Sequence, residues 1–281
     1  MTNINLNKLA NDFFQNSLDS SPTSAIMRGH KKYFDQIEEL TEDQFEKEKE
    51  IVDAFIQRLS AIEQDKLTSR EKVTHGMLEF ALSSNKDSLL DKSWEFGAGV
   101  SGFTGFLIDY NQQMFVPDSE SADMMLKRLE LYKRLYTQIA EVQKVGLSNN
   151  RVATERNLLR TIDQLENYLA SSLDQDPLLL VNFSPEIPGS EISEWKDKAK
   201  NIIEANIRPT VSAYLDQLKT EHLPKGRGDD KCGIMWIDGG EESYLRSLRK
   251  YTGHKATTVK EVHEIGLSEI ERLKKEFFEI G

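Results

Sequence analysis

Thr41, Thr68 and Thr258 each open a polar stretch three residues ahead of a glutamine or glutamate: Thr41 with Gln44, Thr68 with Glu71, and Thr258 with Glu261. Such a box satisfies the free amide donors at a helix start from both sides, and it marks a helix when an apolar rhythm of threes and fours follows. Here it does. After Thr41 the inner stripe reads Val52, Phe55, Leu59, Ile62; after Thr68 it reads Val73, Met77, Phe80. The short segment between the two runs predicts an antiparallel helix hairpin.

The same rhythm covers most of the remaining chain. Past Pro117 the acidic residues Asp118, Glu120 and Asp123 suit a helix N-terminus, where the macrodipole favours negative charge. A face of Met125, Leu129, Tyr132, Tyr136, Ile139 and Val142 follows, and Gly146 predicts the stop. A further helix turns Leu158, Ile162, Leu165, Leu169 and Leu173 inward. The proline-bearing stretch from Asp176 to Gly189 is a connector. Ser190 is the expected cap of a helix carrying Trp195, Ala199 and Ile202, then Val211, Tyr214 and Leu218 beyond Pro209, which should kink or split it. Only Gly233 to Ile237 suggests a short strand. The expected fold is all-α, a multi-helix array of antiparallel hairpins, with subdomains at residues 1–175 and 190–281.

Composition narrows the function classes. A net charge of −11 argues against nucleic acid as the main partner, because phosphates would be repelled. No apolar run is long enough for a membrane span, so no membrane partner is expected. The N-terminus shows no basic segment followed by an apolar one, which makes cytoplasmic the expected compartment. Cys232 is the single cysteine and can form neither an internal disulfide nor a thiolate cluster.

Short motifs add little chemistry. Gly97, Gly99 and Gly102 spell a dinucleotide fingerprint, but no strand precedes them and no βαβ alternation surrounds them. With Gly105, Trp94, Phe96, Phe103 and Phe106 they read better as a packed loop at a cleft or interface. Arg227-Gly228-Asp229 matches an adhesion tripeptide, and a flexible polar loop is the better reading. The histidines are His30, His75, His222, His254 and His263. His263-Glu264 begins a zinc HExxH motif, yet Leu267 occupies the second ligand's place. His75 and Glu79 share a helix face, but two ligands make a poor metal site, and a structural or solvent-facing His75 is the better reading. No catalytic residue and no metal ligand is therefore assigned in this chain.

After Thr258, one helix face carries Val259, His263, Gly266, Ile270, Leu273, Phe277 and Ile280. That stripe predicts a buried helix, with Gly266 admitting a close neighbour and His263 either bonded in the core or at a cleft rim. The wording from Gly239-Gly240 through Tyr244, Leu248-Arg249, Tyr251-Thr252 and Thr257 to Ile270 resembles the family called domain of unknown function 885. Pro22 to Ala25, Gly29, Arg208-Pro209 and Ala213-Tyr214 are similar to it as well.

The resemblance implies a helical fold related to zinc metallopeptidases, in proteins usually about twice this length. It further implies a carboxypeptidase-like activity and an HExxPGHH-type zinc helix in the C-terminal half. This chain ends before that helix, so it resembles an N-terminal, substrate-channel half that is inactive alone. No cofactor is expected in this chain; zinc is expected in a full-length member. The partners implied are the missing C-terminal half and, in the intact protein, a peptide substrate. Tyr244, His263, Gly239 and Gly240 are the positions expected nearest the substrate, with Tyr244 a donor to a carbonyl or a core aromatic. A stand-alone helical interaction module is the alternative.

Overall fold

The computed structural model describes residues 4–98, 110–253 and 258–281. Its helices, in order, are α1 (Ile4–Asp19), α2 (Pro22–Met27), α3 (Glu42–Ser60), α4 (Ser69–Asp91), α5 (Ser119–Ser148), α6 (Glu155–Ala170), α7 (Gly189–Ile202), α8 (Arg208–Gln217), α9 (Gly240–Thr252) and α10 (Val259–Ile280). The fold is all-α. A two-residue parallel pair, β1 (Phe115–Val116) with β2 (Asn182–Phe183), accompanies them.

The capping boxes act as the sequence implies. Thr68 and Glu71 exchange bonds fully at the start of α4, and Thr258 and Glu261 do so at α10. Thr41 accepts from the Gln44 amide, but the Gln44 side chain reaches Glu48 instead, so this box is half formed. Asp118 caps α5, accepting from the Ser121 amide at 2.9 Å. Its carboxyl is held down to about 2 by Lys31, by Ser121 and by the amide bond.

The larger core is built on α5. Met125, Leu129, Tyr132, Tyr136 and Ile139 are buried there among Leu158, Ile162 and Leu165 of α6 and Val211 and Tyr214 of α8. Polar anchors fix the register. The Trp195 indole donates to the Ala122 carbonyl at 2.8 Å, and the Tyr214 hydroxyl donates to Gln143 at 2.7 Å. Arg208 holds fully buried Asp176 with two nitrogens, at 3.0 and 3.2 Å, and so pins the proline-bearing connector. A second core joins α1, α3 and α4 through Leu6, Leu9, Val52, Phe55, Leu59, Leu78 and Leu82.

Several expectations are corrected. In α4 the buried positions are Glu71, His75, Leu78 and Leu82, while Val73, Met77 and Phe80 are 62, 68 and 50% exposed. This helix has apolar residues on two sides, and packing on α3 selected the other one. Gly146 does not end α5, which continues to Ser148. A Cβ at Gly146 would lie 2.2 Å from the Glu95 carbonyl oxygen, so the glycine admits a crossing chain. α7 is capped at Pro188, two residues ahead of the expected Ser190. Gly233 to Ile237 contains a 3₁₀ turn, Ile234–Trp236, rather than a strand.

Pro209 sits in the first turn of α8, directly after a π turn at Ile203–Ile207. The extra residue in that turn accommodates the ring without ending the helical path. Arg227-Gly228-Asp229 is not a free loop. The Arg227 guanidinium donates to the carbonyls of Val152, Lys231 and Gly233 at 2.8, 2.7 and 2.6 Å. Gly99, Gly102, Phe103, Gly105, Phe106, His254 and Thr257 lie outside the described residues.

Candidate functional site

The segment singled out by its wording begins at a turn that only glycine serves well. Gly239 is left-handed (φ +70°) and precedes α9, and a Cβ on Gly240 would stand 1.8 Å from the Ile234 carbonyl oxygen. That approach folds the 3₁₀ turn back against the first turn of α9. Arg151 fastens the same corner from α5's end by donating to the carbonyls of Asp238 and Asp91. Its Nε lies 2.7 Å from buried Glu95. Burial pushes the Glu95 carboxyl above its ordinary range, and the Arg151 and Lys92 charges oppose that rise.

α9 is held on α4 by charge as well as by packing. Arg246 Nε donates to Asp91 at 2.5 Å, and Arg249 faces Asp87 at 3.8 Å. A pocket of about 550 Å³ opens between the two helices, walled by Glu79, Phe80, Asp87, Arg249 and Lys250. Tyr244, 44% exposed, lies one turn into α9. The structure thus puts Gly239, Gly240 and Tyr244 at one end of one helix.

His263 is elsewhere, exposed on α10. No residue of α10 is buried, and a Cβ on Gly266 would meet nothing within 4 Å. The expected burial of this helix is therefore corrected: no described part of the chain covers its apolar stripe. Phe277 and Ile280 are 73 and 85% exposed.

A second hollow carries no signal in the motifs read from the sequence. A groove of about 610 Å³ lies where α1, α3 and α4 meet the α2–α3 connection. Its walls include Asp19, Glu38 and Glu48, with Trp94 stacked on Phe45 at 3.7 Å between ring centres. The Tyr33 hydroxyl, donating at 2.6 Å, holds the Asp19 carboxyl low. Burial pushes Glu48 up, against the bonds from Asn16 and Gln44. One signal was available: Glu48 falls on the same stripe as Phe45, Val52 and Phe55, where a charge needs a reason.

Among the described residues no group of three or more histidine, cysteine, aspartate or glutamate side chains is disposed to hold a metal ion. None of the described helices is long and apolar enough to cross a membrane.

The fold is shared with a solved structure described as the "putative lipoprotein from Colwellia psychrerythraea". The TM-score is 0.79 at 14% identity, over 95% of this chain and 49% of that one. This chain thus spans about half the length of that protein. No curated protein matches it. The family model described as a bacterial protein of unknown function, DUF885, matches residues 22–281, and the chain belongs to that family.

Proposed function

We propose that this chain is the N-terminal, substrate-channel half of a zinc-dependent, carboxypeptidase-like peptidase, and that its own residues bind and orient peptide rather than cleave it. The observation that carries this reading is the uncovered apolar face of α10, at Val259, Ile270, Leu273, Phe277 and Ile280. A capped amphipathic helix left without a neighbour among the described residues calls for a cover, and a second half of similar size would supply one. Family membership and the half-length likeness to a solved structure support it.

The described residues do not fit a zinc ion. His263-Glu264 is followed by Leu267 where a second imidazole would be needed, and no other suitable cluster is present among them. No catalytic step is assigned to this chain. Tyr244, half-exposed at the glycine corner, is the proposed donor to a substrate carbonyl, and His263 the proposed cleft-rim residue of α10.

The test is to measure zinc content and peptide cleavage for the chain by itself and for a polypeptide that adds an HExxH-bearing second half. The chain alone should hold no stoichiometric zinc and cleave nothing, whereas the longer polypeptide should do both. One tightly held zinc in the chain alone would overturn the proposal. An interaction module is the second reading, favoured by the outward Val73, Met77 and Phe80 stripe of α4. It predicts stable binding of a protein partner with no peptidase activity in either form.

A further inference from the structure

Between α3 and α4 lies a pocket of about 320 Å³, separate from the acidic groove. Ile56, Leu59, Ile62 and Leu82 give it apolar walls, and His75 and Glu79 stand one turn apart on α4 beside them. His75 is only 6% exposed, and its Nε2 is buried with no hydrogen-bond partner. A buried imidazole nitrogen left without a partner is uncommon in a folded protein, because burial removes the water that would otherwise bond it. Here it borders a hollow large enough for a molecule.

We propose that this pocket binds a neutral one- or two-ring alcohol, its ring against the leucine and isoleucine walls and its hydroxyl bonded to His75 Nε2. Size supports the ring. An apolar cavity of roughly 150 Å³ holds benzene, so the volume here suits a second ring as well. Bonding chemistry selects the hydroxyl, which both donates and accepts and so satisfies Nε2 in either imidazole tautomer. The apolar walls select against an acid, since burying an anion against them would cost its hydration. The proposal is independent of the peptidase reading, because it uses α3, α4 and the connection between them and needs no second half.

The probe is 5-indanol, compared with indane, which has the same rings and no hydroxyl. Both are titrated into the whole chain while the His75 ring resonances are followed by NMR. The wild type should bind 5-indanol about tenfold or more tighter than indane, as expected when a site is built around one hydrogen bond. His75→Leu should abolish that preference. Ser83→Trp, at an exposed position on the pocket wall, should block both ligands without touching the core. Equal affinity for the two ligands in the wild type would overturn the proposal. So would no binding of 5-indanol, or binding that survives Ser83→Trp.

Discussion

α5 and α10 carry the same kind of message and meet opposite fates. Each opens on a side-chain cap, and each repeats apolar residues at helical spacing. α5 runs through the middle of the larger core, with Met125, Leu129, Tyr132, Leu135 and Tyr136 fully buried. α10 buries nothing. Periodicity states that a face needs cover, and the rest of the chain decides whether cover is present. In α5 tertiary packing supplies the stability. In α10 the terms found among the described residues are local: the capping box, and ion pairs along the helix such as Arg272 with Glu269 and Glu276.

The comparison breaks most readily on matched leucines. Leu129→Ala in α5 should cost about 2–5 kcal/mol, because the removed atoms leave a cavity in a packed core. Leu273→Ala in α10 should change stability by less than about 0.5 kcal/mol, since its site faces solvent. Urea unfolding of both variants decides it. Equal costs would mean that α10 is packed after all.

Matched glycines sharpen it, because the sign itself should invert. Gly146→Ala drives a Cβ to 2.2 Å from the Glu95 carbonyl oxygen, and it should destabilise by about 3 kcal/mol as backbone is forced apart. Gly266→Ala meets open space and should raise the local helicity of α10 by about 1 kcal/mol of propensity. Thermal unfolding reads the first, and helical circular dichroism reads the second.

The legibility of the fold follows from the same contrast. The stripes of α3, α5 and α6 were readable because each helix has one apolar side and the core took it. The α4 face was not readable, since Val73, Met77 and Phe80 compete with Leu78 and Leu82 and only the position of α3 settles the matter. Gly146 looked like a helix stop, but its role depends on Glu95, which is distant in sequence. The Gly239-Gly240 pair was legible through the family resemblance, and its clamp by Arg151 was not, because that contact joins residues far apart. Of the proposed site residues, two glycines and Tyr244 come together, while His263 is displaced to a helix that the described chain leaves bare.

A smaller effect lies between the two extremes, on α3. Glu48 shares a stripe with Phe45 and Val52 but sits only partly covered, and burial raises its carboxyl above the ordinary range. A raised carboxyl means that the folded state holds its proton longer than the unfolded one. Its contribution is therefore most favourable at low pH and declines as pH rises from the ordinary glutamate range through the raised value. Glu48→Gln should remove that decline and stabilise the neutral-pH protein by less than about 1 kcal/mol. Melting temperatures of the two proteins between acid and neutral pH provide the check, and parallel curves would contradict the assignment.

The most direct test of the account is native-state hydrogen exchange on the chain by itself, read helix by helix. Amides of α5 should exchange only through global unfolding, while those of α10 should exchange with protection no greater than an isolated helix affords, and adding an HExxH-bearing second half should raise α10 towards α5. Protection of α10 equal to that of α5 in the chain alone would contradict the claim that its apolar face stands uncovered.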